Sequence, residues 1–364
     1  MSSFRPHSQA ASLAAPHFAP VPAVRRRLAA AAGDVRLLHA AVSESGPVRA
    51  HNEDRWQSVA QSGLFVVADG MGGYNAGEIA AEIAVQTACR LIPLSLPPQL
   101  LPQLPAPLQD SGATSPAALE PQPGVEYALR LAHDACNAQI RQYAADNPDC
   151  LGMGTTLVSC LIRDGRLHVA HVGDSRAYRL RDGLLQRLTR DHSIGQELLD
   201  NGTLTAAQVR RVPGRGILTR ALGVERDVDS ECHAWDWRRT DTLLVCTDGV
   251  ADLLDDERIR QLLIAAAAGG PCAQARALVA AALQAGGTDN ATALVVRNAA
   301  DTAASGDAAD EAGAGQCAGG GYGVAACADV AGMAACPQAE EQERAREQQA
   351  RPARIAGLRN QELN

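Results

Sequence analysis

Four apolar runs in this chain each abut an aspartate, and that recurrence constrains the fold more than any other feature. LFVVADGMGG carries Asp69, LHVAHVGDSR carries Asp174 and LLVCTDGV carries Asp248, each behind a run of strand formers. In GGTDNATALVV the order is reversed, and Asp289 precedes the run. Short runs of Val, Leu and Thr bounded by Gly, Asp and Asn read as β-strands. A carboxylate at a strand end projects from the rim of a sheet, where several strands converge. Gly70, Gly173 and Gly249 stand beside three of these aspartates. They remove side-chain bulk, so a backbone carbonyl or a cation can come close. Taken singly, an Asp-Gly is a turn pair. Four carboxylates at one rim repel one another and need a compensating charge, which hard divalent cations with oxygen ligands supply. No histidine cluster or cysteine pair has metal spacing, so Mg²⁺ or Mn²⁺ is expected rather than zinc.

The remaining pattern supports a layered α+β domain. GTTLVSCLIRDGRLHVAHVGD and RAYRLRDGLLQRLT each hold an Asp-Gly between two apolar stretches, the signature of a hairpin turn with positive φ angles. Helical periodicity covers about residues 76–92, 125–146, 257–268 and 273–285. Hairpin-linked strands with helices between them imply largely antiparallel sheets. Neither a GxGxxG nor regular strand–helix alternation is present, which disfavours a dinucleotide-binding fold. Residues 1–33 read as a flexible arm rich in Ala and Pro. Residues 299–364 read as a largely disordered tail whose first half lacks the large apolar side chains that offset ordering entropy. Residues 93–124 hold nine prolines and read as a loop or extended connection. The expected domain is thus 34–298, with 93–124 as an insert.

Composition removes several function classes. The formal net charge of −8 excludes a generally basic nucleic-acid binder. The sequence has no lysine, which excludes a P-loop site or a Schiff base. Uninterrupted apolar runs fall short of the roughly 20 residues of a membrane span, so no membrane partner is expected. The ten cysteines form no CxxC and read as core thiols of a reducing compartment. A cytoplasmic location and a monomer are the matching expectations.

One further segment, GPVRAHNEDRW, brings Arg49, Asn52, Glu53 and Asp54 together. Glu53 and Asp54 can add metal ligands or second-layer acceptors. Arg49 can present a planar fork of donors to a phosphate. On its own the segment would read as an ordinary charged loop.

Taken together, these residues resemble the bacterial branch of the metal-dependent protein phosphatases (type 2C, or PPM). The resemblance rests on Arg49-x-x-Asn52-Glu53-Asp54, Asp69-Gly70-Met71-Gly72-Gly73 with Ala76-Gly77-Glu78, and Gly154-Thr155-Thr156. It continues through Val172-Gly173-Asp174-Ser175-Arg176, Leu188-Thr189-Arg190-Asp191-His192-Ser193 and Thr219-Arg220-Ala221-Leu222-Gly223. Thr247-Asp248-Gly249 and Asp289-Asn290-Ala291-Thr292 complete it, so that it covers about residues 36–297 in the family's motif order.

The resemblance implies a four-layer α-β-β-α sandwich with two central antiparallel sheets and a dinuclear metal centre at one end. It implies that Asp69 bridges two Mn²⁺ or Mg²⁺ ions. Glu53 and the Gly70 carbonyl would serve one ion, and Asp248 and Asp289 the other. Asp174, with Asp248, would form a third, weaker site. Arg49 would hold the substrate phosphate, while Asp54 and Asn290 would orient ligands through hydrogen bonds. The implied reaction is direct attack on phosphoserine or phosphothreonine by a metal-bridging hydroxide, without a phosphoenzyme. The implied partners are phosphorylated proteins, substrates of a bacterial Ser/Thr kinase. A module acting on a sigma-factor-type regulator or a small phosphate ester is the alternative, and a silent binding module is disfavoured because the four aspartates are all present. Three departures stand out. Met71 occupies the position where eukaryotic relatives often carry a histidine proposed as the leaving-group acid, and Tyr74 replaces a histidine common in bacterial relatives. The insert 93–124 is longer than expected. In the segment 194–222, Gly202, Gly214 and Gly216 read as hinges of a mobile flap, and Arg210, Arg211 and Arg215 as cations able to attract a phosphorylated segment. His168, His171 and His192 are read as packing or hydrogen-bonding residues.

Overall fold

The computed structural model describes residues 37–72, 76–96 and 122–299. The arm 1–33, most of the tail 299–364, Tyr74 and the middle of the Pro-rich insert lie outside the described residues. The strands are β1 (Leu37–Glu44), β2 (Asp54–Val59), β3 (Leu64–Met71), β4 (Gly154–Thr155), β5 (Leu157–Arg163), β6 (Arg166–Val172), β7 (Arg176–Arg181), β8 (Leu184–Arg187), β9 (Glu231–Asp236), β10 (Thr242–Cys246) and β11 (Ala291–Asn298). The helices are α1 (Ala76–Ser95), α2 (Pro123–Asp146), α3 (Ile194–Asp200), α4 (Ala206–Val209), α5 (Asp248–Ala251), α6 (Asp256–Ala265) and α7 (Gly270–Gln284).

The strands form two antiparallel sheets. One runs β1-β11-β10-β7-β8, the other β2-β3-β5-β6-β9 with β4 paired to β3. The period of two along each strand sorts side chains into three apolar layers. On β3, Leu64, Val66 and Ala68 face α1 and α2, whereas Phe65 and Val67 face the other sheet. On β10, Leu243 and Val245 fill the same inter-sheet layer, and Leu244 and Cys246 pack outward against α6 and α7. Each sheet is therefore buried on both faces, which is why its strands read as unbroken apolar runs rather than alternating ones. The result is the expected α-β-β-α sandwich.

Both Asp-Gly hairpins are present. Asp164 and Gly165 (φ 52 and 68) join β5 to β6, and Asp182 and Gly183 (φ 50 and 77) join β7 to β8. Three strands escaped sequence reading: β1, β2 and β9. Their sequences, such as DRWQSV and ECHAWD, carry too much polar character for a strand signal. The insert's ends also need correction. Residues 93–95 continue α1, with Pro93 inside its last turns, and α2 begins at Pro123. Proline is tolerated at a first helical turn because the missing N–H has no partner there; in α1 Pro93 removes one N–H bond to the preceding turn, and the helix ends two residues later.

The layered core makes a stability prediction. Leu294 is fully buried between the sheets, whereas Leu184 at a hairpin is 73% exposed. Leu294→Ala should cost about 2–5 kcal/mol in denaturant unfolding, and Leu184→Ala no more than about 0.5 kcal/mol. Equal midpoints for the two variants would contradict the assigned layers.

Candidate metal centre

Strand register delivers the first carboxylates. Phe65 and Val67 face the inter-sheet layer, so Asp69 continues the same face one step further along β3. Asp54 on β2 is its directly opposed partner, and opposed residues of an antiparallel pair share a face. The apolar layer between the sheets thus ends in acid. Asp69 lies inside β3 rather than at its end. Asp248 opens α5 after Thr247, two residues beyond β10. Asp174 sits in the turn after β6, and Asp289 stands two residues before β11.

These positions converge. Asp69, Asp174, Asp248 and Asp289, with Met71 and Thr156, line one open cavity of about 690 Å³. Its opposite wall comes from Gly216–Ala221 and from residues 224, 225 and 227–229. The backbone of Asp69 is fixed on both sides: its N–H donates to Thr156 Oγ1 (2.9 Å), and its carbonyl accepts from Thr156 N (2.8 Å) and Thr155 Oγ1 (2.9 Å). Thr156 Oγ1 also meets Ser175 Oγ at 2.8 Å, beside Asp174. The Gly-Thr-Thr and Gly-Asp-Ser motifs are therefore one hydrogen-bonded unit.

A second set of bonds ties the Glu53 loop to β11. Asn290 Oδ1 accepts from Glu53 N (2.8 Å), and its Nδ2 donates to the carbonyls of Ser45 and His51. Asp54 Oδ2 accepts from Thr247 Oγ1 (2.9 Å) and Thr292 Oγ1 (2.6 Å), which links β2 to both flanks of the Asp248 and Asp289 segments. Arg49 donates to Asp289 at 2.7 Å, and both side chains are about half exposed at the rim. Two glycines are required by close approach. A Cβ on Gly70 would lie 2.1 Å from the Gly77 carbonyl oxygen, and one on Gly249 would lie 1.9 Å from that of Asn290.

The electrostatics show what the cluster lacks. Burial, then the neighbouring Asp54, Asp248 and Asp174, push the Asp69 carboxyl well above its ordinary range. Burial and Asp248 do the same to Asp174. Burial raises Asp54 to about 7 and Asp248 to about 6, and the Asp69 and Asp248 carboxyls are in hydrogen-bonding contact. Asp54 Oδ1 is buried without a partner. The nearest guanidiniums do not offset this charge: Arg49 is at the rim, and Arg176 is engaged by Asp191 at 2.7–3.1 Å. Buried carboxyls whose charged form is disfavoured by burial and by one another, with oxygen as the only donor type, fit hard divalent ions. Glu53, Asp69, Asp174, Asp248, Asp289 and the Gly70 carbonyl are the groups available to hold them.

Other expectations resolve differently. Gly202 and Gly214 take left-handed turn conformations (φ 63 and 76), but Arg215 is paired with Asp252, and Arg220 is the arginine in the cavity wall. The fold also gathers a group that sequence spacing does not show: His171, His192 and Glu231 bring ligand-type atoms within 4.8 Å of one another. Glu231 carried no sequence signal, because only the pairing of β6 with β9 places it opposite His171.

The raised carboxyls set a pH dependence. With the folded pKa above the unfolded one, the native state binds more protons, and stability falls as pH rises from about 4 to about 7. The melting temperature of chelator-treated protein should fall across that window, and millimolar Mn²⁺ should remove the slope. A flat profile without metal would contradict the cluster's electrostatics.

Comparison with known proteins agrees with this geometry. The family model described as protein phosphatase 2C matches residues 48–284. The chain is 33% identical over 257 residues to the serine/threonine phosphatase stp of Listeria welshimeri, covering 70% of this chain and 93% of that protein. The crystal structure of the Mycobacterium tuberculosis serine/threonine phosphatase PstP/Ppp superposes with a TM-score of 0.59 at 33% identity, covering 72% of this chain and 98% of that one. The catalytic domain of PstP in complex with two manganese ions gives 0.58 at 33% identity, over 72% and 97% of the two chains. This chain belongs to the protein phosphatase 2C family.

Proposed function

We propose that the chain is a metal-dependent protein serine/threonine phosphatase that hydrolyses phosphoserine and phosphothreonine with two Mn²⁺ or Mg²⁺ ions. The observation that carries this is the convergence of Asp69, Asp174, Asp248 and Asp289 on one cavity, where burial and then the neighbouring carboxylates push Asp69 and Asp174 well above their ordinary range. When bound, such ions make water acidic enough to act as a nucleophile near neutral pH and shield the phosphoryl oxygens.

The protein's own groups then have separable tasks. Glu53, Asp69, Asp248, Asp289 and the Gly70 carbonyl would hold the ion pair, and Asp174 with Asp248 would hold a weaker third ion. Asp54 and Asn290 keep Glu53, Thr247 and Thr292 in place through the bonds described above. Arg49 turns from Asp289 to the substrate phosphate, offering two parallel N–H donors. In the reaction a water oxygen bonds to phosphorus in line as the bond to the Ser or Thr oxygen breaks, and that oxygen takes up a proton. Met71 lines the cavity and has no proton to give, so water supplies it. A cysteine nucleophile is disfavoured: no described cysteine lines the cavity, and burial pushes the thiols of Cys89, Cys232 and Cys246 up to about 12.

The same reading covers the setting. Phosphoserine and phosphothreonine proteins are made by a Ser/Thr kinase, whose substrates this enzyme would consume. It works as a cytoplasmic monomer with the catalytic domain at 34–298. Among the described residues no single helix is long and apolar enough to cross a membrane. The acidic balance of the chain, −8, opposes nucleic-acid binding.

Two variant series test the proposal with a phosphothreonine peptide and Mn²⁺. Asp69→Asn and Asp248→Asn should each lower kcat/KM by about a hundredfold or more. Each should also melt higher than the parent in chelator, because a repelled buried charge is gone. Arg49→Ala should lower kcat/KM by about 10- to 100-fold, the worth of a charge-assisted hydrogen bond pair. Undiminished turnover in either aspartate variant would overturn the assignment.

A further inference from the structure

One polar cluster has no part in the chemistry above. His171 on β6 and Glu231 on β9 are directly opposed in register. His192, from the segment before α3, lays its ring on His171 with centroids 4.8 Å apart and planes 18° from parallel. Both histidines are buried.

This cluster is not a cation site. An ion bound by two imidazoles lies in the plane of each ring, and two stacked, nearly parallel rings have no such common point nearby. His192 has also spent one lone pair. Its Nδ1 accepts the Gly173 N–H at 3.1 Å. His171 Nε2 contacts the Arg190 carbonyl at 2.8 Å.

The bonds point instead toward the metal centre. His192 grips the Gly173 peptide twice, through Nδ1 and through its own N–H, which donates to the Gly173 carbonyl at 3.0 Å. Gly173 is locked in a left-handed conformation (φ 99), and a Cβ there would lie 2.6 Å from Thr156 Cγ2. The next residue is Asp174, in the cavity wall. Because a backbone N–H can only donate, Nδ1 of His192 must be bare and the ring proton must sit on Nε2. That proton faces Glu231 Oε1 at 3.2 Å. Arg220, His233 and Arg190 surround the same carboxylate at 3.6, 3.8 and 4.0 Å, and the hydrogen bonds from His192 and His233 hold it far below the usual carboxylate range. Glu231 is therefore an acceptor with no proton to offer.

We propose that Glu231 and His192 are positioning residues for Asp174. Glu231 fixes the Nε2–H tautomer of His192, which leaves Nδ1 free to fasten the Gly173 amide and so aims the Asp174 carboxylate into the cavity. The device is the carboxylate–imidazole logic by which an acceptor selects a tautomer, applied here to a backbone amide. It rests on the reading of Asp174 as a ligand of the third, weaker ion. Arg220 shares Glu231 and lines the cavity, so one carboxylate organises both a cavity cation and a ligand turn.

The test begins on metal-free protein. Nitrogen-15 NMR of histidine-labelled protein should show His192 bare at Nδ1 and protonated at Nε2, with slow exchange of the Gly173 amide. Glu231→Ala should speed that exchange by about tenfold and weaken the weakest Mn²⁺ site by a similar factor in calorimetry. Glu231→Gln keeps an acceptor and should stay near the parent. His192→Asn presents an acceptor where Nδ1 was and should retain most of the affinity, whereas His192→Leu should not. Should Glu231→Ala fail to fold, the two His192 variants carry the comparison at matched melting temperature. In turnover, Glu231→Ala should raise the half-saturating Mn²⁺ concentration while the rate at saturating Mn²⁺ recovers. An Nδ1-protonated parent, or unchanged Gly173 exchange and Mn²⁺ affinity in folded Glu231→Ala or His192→Leu, would overturn the proposal. A parent that shows the tautomer and slow exchange yet neither binds Mn²⁺ nor hydrolyses phosphopeptide would instead sink the phosphatase reading alone.

Discussion

Repulsion among carboxylates is the constraint on which this structure depends. Asp54, Asp69, Asp174 and Asp248 crowd together where burial already disfavours their charge. No hydrophobic gain explains such a cluster, and the surrounding arginines are committed elsewhere. The fold tolerates it because divalent cations convert the repulsion into binding energy. The same feature that lowers the stability of the metal-free protein makes its end of the sandwich a hard-ion site.

The sandwich supplies the precision. Strand register puts Asp54 opposite Asp69 on the inter-sheet face, and Asp248 and Asp289 arrive from the neighbouring sheet on segments flanking β10 and β11. Thr156, Thr247, Thr292 and Asn290 then knit the segments together with hydrogen bonds of 2.6–3.1 Å. A site built this way needs each sheet to keep its register, because a one-residue slip of β2 or β3 would turn Asp54 or Asp69 to the opposite face. The chemistry therefore depends on the apolar layer beneath it.

Much of this was legible in the sequence, for identifiable reasons. The apolar runs of β3, β5, β6, β10 and β11 are buried on both faces and stand out in composition, and the Asp-Gly hairpins carry their turn chemistry openly. The aspartates were visible because they adjoin those runs. What stayed hidden depends on tertiary contact. β2 and β9 are polar and become strands only by pairing with β3 and β6. Asp248 has the sequence pattern of a strand end, but Thr247 instead leads into a short helix. Glu231 lies far from any motif, and register alone brings it to His171 and His192. Pro93 misleads in another way, since the helix runs on through it for two more residues.

The central claim is that these carboxylates gather a pair of hard ions and give up protons in doing so. Calorimetric titration of Mn²⁺ into chelator-stripped protein at pH 6, repeated in two buffers of different ionisation enthalpy, reads both ion number and proton release. The account predicts two tightly bound ions per chain with net proton release, as Asp54 and Asp69 ionise. Absence of binding, or binding of ions without any released proton, would contradict it.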